Sequence, residues 1–280
     1  MLHRCVIAFL VASVLVGTLG GCSASSPRLA PGPTVSTAPP TAPTVSSSTT
    51  GGTTGSSSAS SGSASASSAT TSTSAVPDLS RSIVATAKAG ISQVAVFGSP
   101  KGTATGQVVA NPNEYGQPQV FLVAEQRPGW LRVALPIRPN NSSGWIKEAD
   151  VTVSQHQYHI EVSLSGHRFQ LFQGSERLLD APAGIGTTDT PTPGGVYYTW
   201  VLIDPTNSGY GAYAYGLSGF SDKLSRFAGA DARLGIHGTD DASSIGRDVS
   251  RGCIRISDAT VTRMVDDLEL PLGIPVDISA

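Results

Sequence analysis

The 280-residue sequence is short of cysteine, of charge and of aromatic side chains. Three cysteines cannot build the disulfide framework of a small secreted scaffold. Lys and Arg total 18 against 20 Asp and Glu, a formal net charge of −2. The chain therefore lacks a basic surface of the kind that binds nucleic acid, and we predict no nucleic-acid partner. After residue 16 no apolar run is long enough to cross a bilayer, which excludes a multispanning membrane protein.

The one apolar run lies at the N-terminus. Residues 5–16 are apolar apart from one serine, a length that suits the core of an export signal rather than a membrane span. The sequence LGGC that ends at Cys22 resembles the bacterial lipobox. We therefore predict a lipoprotein signal peptide over residues 1–21 and a lipid on Cys22, with the protein exported and anchored to the outer face of the cytoplasmic membrane. The alternative is ordinary secretion with cleavage near Gly20.

Residues 22–80 are predicted to be a disordered tether. Between residues 29 and 77 there is no charged and no aromatic side chain, and Ser, Thr, Ala, Pro and Gly make up nearly the whole segment. Such a composition buries too little apolar surface to offset the chain entropy of folding. The segment is either a tether that lets an anchored domain search the cell wall or a plain spacer, with or without O-glycosylation.

Residues 82–153 are predicted to form a small β domain. Short strands at 94–97, 120–123, 130–135 and 145–146 alternate with Gly- and Pro-rich turns, a pattern typical of small barrels. The spacing GWLRV…GWI resembles bacterial SH3-like domains, which in exported proteins often contact the cell wall. Tryptophans in small barrels are usually core residues, so packing or spacing is the preferred interpretation and wall binding is the alternative.

The remaining segment, residues 155–280, is also predicted to be mostly β. Alternation over 158–164 and around 169–171 indicates an antiparallel meander. Near the end, Ser257 is a predicted N-cap for a helix over 259–267. A last strand over 274–278 contains a proline, which favours an edge position.

Cys253 stands out because the other two cysteines have other fates. Cys5 leaves with the signal peptide and Cys22 carries lipid, so Cys253 is the free thiol of the mature chain. A leftover cysteine in an exported protein indicates intermolecular pairing or a reactive thiol. A buried, inert cysteine is the third interpretation, and the cysteine count alone does not choose among them.

A reactive thiol needs a base within hydrogen-bond reach. His237 follows an apolar run and precedes Gly238, which places it at the rim of a sheet. The other histidines of the two β domains are predicted to be solvated: His156, His159 and His167. A zinc site is disfavoured because the nearby ligand types lack paired spacings such as C-x₂-C, and a serine hydrolase is disfavoured because no G-x-S-x-G elbow is present. We predict no metal and no cofactor.

The residues around this pair resemble a known family. HGT at 237–239, followed after a loop by SRGCIRI at 250–256, closely resembles the L,D-transpeptidase catalytic domain of the YkuD type. TPTPGGVY at 190–197 and YGAYAYGLSGFSD at 210–222 also resemble family sequence. Arg251 is a departure, since many members have a second histidine there. The resemblance implies a mainly β fold: a small SH3-like barrel followed by a YkuD-type β-sandwich with one short helix, after a disordered linker.

The resemblance also implies an activity. The substrate would be a peptidoglycan stem peptide, whose third residue, a diamino acid, would be acylated onto Cys253 with loss of D-alanine. Capture of the thioester by an amine of another stem would give a 3→3 cross-link. His237 would act as the base, oriented by the backbone carbonyl of Gly238. The backbone N–H groups of Gly252 and Cys253 would be the oxyanion donors, and carbapenems would be inhibitors.

Further residues enter the predicted substrate site. Ser250 belongs to the same motif, and Arg251 would favour the thiolate if its side chain turns inward. Arg255 orders the loop or a substrate carboxylate, or forms a salt bridge. Tyr213 and Tyr215 would wall the cleft, with strand packing as the alternative. Two other functions stay open: an L,D-carboxypeptidase with the same nucleophile, and a non-catalytic wall-binding lipoprotein.

Overall fold

A computed structural model describes residues 81–205 and 207–280. The predicted signal peptide, the lipid site at Cys22 and the tether over 22–80 lie outside the described residues. Within the described ranges no helix is long and apolar enough to span a membrane. The described chain is mainly β with one short helix, so the predicted fold class is confirmed.

A first sheet is built from seven antiparallel strands in the order β3-β2-β6-β5-β4-β1-β7. Its strands are β1 Ser82–Ala87, β2 Gln93–Phe97, β3 Ala104–Ala110, β4 Val120–Arg127, β5 Trp130–Ala134, β6 Ser143–Lys147 and β7 Val151–His156. All four strands predicted in this part of the chain are present. Apolar side chains from all seven strands, with Leu135, form its core. Its assignment as SH3-like stays a prediction.

A second sheet has eight strands in the order β10-β9-β8-β19-β12-β13-β16-β18. These are β8 Tyr158–Ser163, β9 Arg168–Gln173, β10 Glu176–Pro182, β12 Gly195–Ile203, β13 Ala214–Phe220, β16 Arg233–His237, β18 Ile254–Arg255 and β19 Pro275–Ser279. The predicted antiparallel meander is β8-β9-β10 and is confirmed. Two small pairs complete the β structure: β11 Ile185–Gly186 with β17 Asp248–Ser250, and β14 Arg226–Phe227 with β15 Ala230–Asp231.

The prediction that the last strand lies at an edge is wrong. Strand β19 lies inside the second sheet, parallel to β8 and antiparallel to β12. The proline is tolerated because Pro275 is the first residue of the strand, where its missing N–H removes a bond only at the end of the ladder. Val276 and Ile278 are buried, as an interior strand requires.

The predicted helix is present, and its cap is confirmed. Ser257 accepts a hydrogen bond from the N–H of Thr260 and starts helix α1, Asp258–Thr262. The chain continues as a π-helical turn over Arg263–Asp267. Met264 lies on its buried face and packs on the core of the second sheet.

The two sheets share a buried contact. Tyr198 of β12 is fully buried, and its hydroxyl lies 3.1 Å from the carbonyl of Val120 and 3.3 Å from that of Ala134, both in the first sheet. Around it lies a small apolar cluster that includes Trp200 and Leu122. The first sheet therefore packs against the second through polar as well as apolar contacts.

This contact gives a stability prediction. Tyr198→Phe removes a hydroxyl whose single proton is shared between these carbonyls, while Val120 keeps a bond from the Gln119 amide, so we expect the free energy of unfolding to fall by about 0.5–1.5 kcal/mol. Chemical denaturation measures the loss. Tyr158→Phe, at a partly buried position outside this contact, is the matched control and should cost much less. Equal losses in the two variants would contradict the assigned role of the Tyr198 hydroxyl.

Candidate active site

Parallel pairing of two strands brings the predicted nucleophile and base together. Strand β16 ends at His237, and β18 begins directly after Cys253. In their register Ile236 lies opposite Ile254. Cys253 therefore lies beside Gly235 in the middle of β16, and its Sγ is 4.0 Å from the carbonyl oxygen of Arg233 at the start of that strand.

The imidazole of His237 is held in one tautomer. The side chain is buried at 4% exposure, and Nδ1 lies 2.5 Å from the carbonyl oxygen of Gly238. A carbonyl can only accept, so Nδ1 carries the proton and Nε2 is left as an acceptor. This is the arrangement that was predicted for Gly238, and it prepares Nε2 to take a proton.

Burial keeps both groups neutral. It lowers the pKa of His237 to about 4, with the positive charge of Arg255 acting in the same direction and the Gly238 hydrogen bond opposing it. Burial also raises the pKa of the Cys253 thiol, while the N–H of Gly235 and the charge of Arg255 partly counteract this. At neutral pH the pair is therefore a thiol and a neutral imidazole, not a thiolate–imidazolium ion pair.

The loop before the thiol uses one of the predicted oxyanion donors for itself. Ser250 is buried, and its hydroxyl donates to the carbonyl of Cys253 at 2.6 Å while accepting from the N–H of Gly252 at 3.1 Å. The Gly252 N–H is thus engaged by Ser250, and its role as an oxyanion donor stays a prediction. Gly252 has φ of +114°, a backbone region that favours glycine, so its role is to shape the loop. Ser250 likewise orders the loop.

Two arginines near the thiol differ in position. Arg255 lies in β18, and its Nε is buried with no hydrogen-bond partner within the described ranges. Its charge acts on both His237 and Cys253. Arg251 is exposed, and its guanidinium lies 5.3 Å from the ring centroid of Phe227. Arg255, rather than Arg251, is therefore the cation that acts on the thiol.

Of the two tyrosines predicted to wall the cleft, one lines a cavity and the other does not. Tyr215 is buried and lines a cavity beside the thiol. Tyr213 was predicted to wall the cleft, but its hydroxyl donates to Asp266 at 3.0 Å and its ring packs on the core, so this prediction is wrong. Tyr210, which sequence reasoning did not single out, lies with its ring 4.8 Å from the His237 ring. Tyr210 is the first residue of the segment 210–222, whose resemblance to family sequence could have drawn attention to it.

Asp258 is a second residue that sequence reasoning missed. Its carboxylate accepts from the N–H of Thr239 at 3.0 Å and from that of Ala212 at 3.2 Å. It thereby joins the segment after His237 to the segment that carries Tyr210. Asp258 is the first residue of α1, and an acidic residue at that position is common in helices, so the sequence did not single it out.

The other histidines are less solvated than predicted. His159 is buried at 8% exposure and stacks on Phe172 with ring centroids 4.8 Å apart, so its predicted exposure is wrong. The alternation of the strand correctly indicated its face but not the aromatic neighbour that covers it. His167 is partly exposed and pairs with Asp248 at 2.6 Å. Neither histidine touches the thiol.

Two cavities meet at Cys253 and His237. One, the polar cavity, is about 550 Å³, with polar walls from Thr187, Asp189, Thr190, Ser250, Arg251 and Arg255 and apolar walls that include Leu224 and Phe227. The second is about 380 Å³ and mostly apolar, with walls from Tyr115, Val201, Ile203, Tyr215 and Leu234, and it includes Asp204 and Asp231. Within residues 81–205 and 207–280 no cluster of His, Cys, Asp and Glu could hold a metal ion.

Fold and site together define a class of chemistry. A thiol, a neutral imidazole with a free Nε2 and two cavities that meet at both groups are what nucleophilic catalysis by cysteine requires. Residues 157–278 match the L,D-transpeptidase catalytic domain, the YkuD family. This match supports an L,D-transpeptidase catalytic domain in this part of the chain.

Curated relatives extend the match. An L,D-transpeptidase YkuD of Bacillus licheniformis is 34% identical over 123 residues, which is 44% of this chain and 66% of that protein. Its counterpart in Bacillus subtilis is 32% identical over 109 residues, 38% of this chain and 58% of that protein. The alignments thus span less than two thirds of each relative.

Solved structures with similarity include two further L,D-transpeptidases. A mutant enzyme from Enterococcus faecium is 23% identical, covers 43% of this chain and 49% of its own, and has a TM-score of 0.34. An L,D-transpeptidase from Mycobacterium smegmatis is 14% identical, covers 58% of this chain and 91% of its own, and has a TM-score of 0.36.

The electrostatics of the site predict the behaviour of the thiol. Because the pKa of Cys253 is raised, its alkylation by iodoacetamide should still be accelerating at pH 9. Arg255→Ala removes the charge that favours the thiolate, so alkylation at pH 8 should slow by about threefold or more. Arg251→Ala is the matched arginine control and should change the rate little. A larger effect at Arg251 would reverse the two assignments.

Proposed function

We propose that this protein is a peptidoglycan L,D-transpeptidase that forms 3→3 cross-links through a thioester on Cys253. One observation carries the proposal: the neutral imidazole of His237, with its Nδ1–H engaged by Gly238, lines the same two cavities as the thiol. The match of residues 157–278 to the catalytic domain of this family gives the substrate class.

Acylation begins when Cys253 Sγ attacks the carbonyl carbon of the third residue of a tetrapeptide donor. Nε2 of His237 takes the thiol proton, which a pKa of about 4 permits at neutral pH. The N–H of Cys253 is the proposed donor to the oxyanion. When the C–N bond breaks, the imidazolium returns the proton to the leaving D-alanine nitrogen, and the thioester remains.

Transfer reverses these roles. A side-chain amine of a second stem attacks the thioester carbonyl, Nε2 of His237 takes a proton from the attacking nitrogen, and the new amide forms as the C–S bond breaks. The proton then returns to Sγ, so the enzyme ends in its starting state. With water in place of the amine, the same steps release a tripeptide, which is the L,D-carboxypeptidase alternative.

The charges that line the two cavities support separate binding sites for the donor stem and the acceptor stem. Arg233, Arg251 and Arg255 line the polar cavity against one carboxylate, Asp189, and this excess of positive charge suits the carboxylate of the terminal D-alanine. Asp204 and Asp231 line the mostly apolar cavity together with Arg233, whose charge is paired with Glu114, so this cavity suits a stem that carries an alkyl amine. An acceptor seated in this cavity would also exclude water from the thioester.

The reaction is tested by incubating the purified protein with a disaccharide tetrapeptide. We expect release of D-alanine and a tripeptide adduct on Cys253 by mass spectrometry, and a cross-linked dimer once a second stem is supplied. Free tripeptide without dimer would favour the carboxypeptidase. A carbapenem should label the same residue. If a folded, reduced protein takes neither donor nor carbapenem, the enzyme proposal fails and a non-catalytic wall-binding role replaces it.

His237 and His159 provide a matched pair within this experiment. Both are buried histidines, but only His237 lines the cavities that Cys253 lines. His237→Ala should slow acylation by about 10²–10⁴-fold, the usual contribution of a general base. His159→Ala should leave the acylation rate close to that of the native protein, although it loses a stacked ring. Equal losses would mean that the base has been misassigned.

We also propose that the protein is a lipoprotein held at the outer face of the cytoplasmic membrane. The support is the LGGC sequence that ends at Cys22 and follows an apolar run. Cys22→Ala should abolish lipid attachment, so the variant either stays uncleaved at this site or leaves the membrane fraction. A mature-sized variant that still fractionates with membranes would refute the anchor. Cys253→Ala, which leaves this sequence intact, is the control for loss of a cysteine.

A further inference from the structure

The first sheet contributes a side chain to a cavity of the active site. Tyr115 lies in the segment 111–119 between β3 and β4, and it lines the mostly apolar cavity that Cys253 also lines. Its ring stands edge-on to that of Trp200, with centroids 5.9 Å apart and planes at 78°. Tyr115 is 45% exposed, so one side of the ring is open to the cavity and to solvent.

The segment 111–119 is held by side-chain amides. Oδ1 of Asn113 accepts from the N–H of Tyr115 at 3.0 Å and from that of Gln117 at 3.1 Å. The side-chain amide of Gln117 in turn donates to the carbonyl of Leu202 in β12 at 2.5 Å. The position of Tyr115 at the cavity is thus set by bonds within the segment and by one bond to the second sheet, which preorganises the wall.

Glu114 links the same segment to the strand beside the thiol. Its carboxylate pairs with Nε of Arg233 at 3.0 Å, and the Arg233 side chain is only 14% exposed. The guanidinium lies 3.9 Å from the ring centroid of Trp200 and 4.3 Å from that of Phe220. The carbonyl oxygen of this same Arg233 lies 4.0 Å from Cys253 Sγ.

We propose that segment 111–119 of the first sheet is part of the active site. Tyr115 is a specificity-determining residue that packs against the alkyl part of the amine-bearing acceptor stem. Glu114 is a positioning residue that acts on the thiol through Arg233. The identity of the acceptor rests on the proposed transpeptidase function. The position of Tyr115 in the cavity wall and the link from Glu114 through Arg233 to Cys253 rest on the contacts alone.

The kinetic test uses the full chain with donor held constant and acceptor varied. Tyr115→Ala should raise the acceptor KM by about tenfold while donor acylation changes by less than twofold. Tyr115→Phe should behave as the native protein, because the ring rather than the hydroxyl makes the contact. Val108→Ala, an exposed apolar position of β3 in the same sheet, is the control. An unchanged acceptor KM, or an equal loss in acylation, would overturn the role of Tyr115.

A second test needs no substrate and is therefore independent of the proposed function. Removing the Tyr115 ring opens the wall, so the rate of Cys253 labelling by N-phenylmaleimide, relative to iodoacetamide, should rise about fivefold in Tyr115→Ala. Tyr115→Leu serves if the alanine variant does not fold. An unchanged ratio in a folded variant would show that Tyr115 does not limit access to the thiol.

The role of Glu114 has a matched control in the same sheet. Glu114→Gln and Glu125→Gln each convert one ion-paired carboxylate to an amide, but Glu125 pairs with Arg127 on the surface. We expect Glu114→Gln to raise the maleimide-to-iodoacetamide ratio at least twofold and Glu125→Gln to leave it unchanged, with similar Tm values for both. Equal ratios would overturn the link through Arg233. If the native protein is not acylated by a donor but the labelling ratios are as expected, the proposed transpeptidase function is refuted. The role of segment 111–119 as a wall of the cavity then still stands.

Discussion

The parallel pairing of β16 with β18 is the constraint on which the active site depends. Strands alternate the side on which their residues point, so a slip of one residue would turn His237 to the opposite face of the sheet. The observed register sets Ile236 opposite Ile254 and brings the end of one strand to the start of the other. The hydrogen bond from Nδ1 of His237 to the carbonyl of Gly238 selects the tautomer, and Nε2 is therefore the unprotonated nitrogen that can accept a proton.

Burial gives this site its electrostatic character. Desolvation disfavours the charged forms of both His237 and Cys253, and it outweighs the single positive charge of Arg255 that would favour a thiolate. A site of this kind stores no ion pair in its resting state. In the proposed mechanism, proton transfer accompanies attack on the substrate, so the reactivity of the thiol depends on what the two cavities hold. That coupling limits reaction of the resting thiol with other electrophiles.

Sequence reasoning predicted the parts of the molecule that have local signatures. Cys253 and His237 lie in a motif with characteristic neighbours, and the strands named from their apolar pattern are present, although others, such as β12 and β13, were not predicted. The failures have a common cause, since alternation indicates the face of a strand but not what covers that face. His159 was predicted to be solvated although a ring from the next strand covers it. Pro275 was assigned to an edge because its position as first residue of an interior strand depends on which strands become its neighbours.

The contacts between the two sheets could not be predicted for the same reason. They extend the candidate active site beyond the second sheet. Asn140 of the first sheet's region exchanges hydrogen bonds with both backbone groups of Phe220, and Arg138 donates to the carbonyls of Ser221 and Leu224. Leu224 lines the polar cavity, while Tyr115 lines the apolar one. The first sheet therefore supports a wall of each cavity. Since the family match covers only residues 157–278, the cleft in which the thiol works includes surface that lies outside the matched domain.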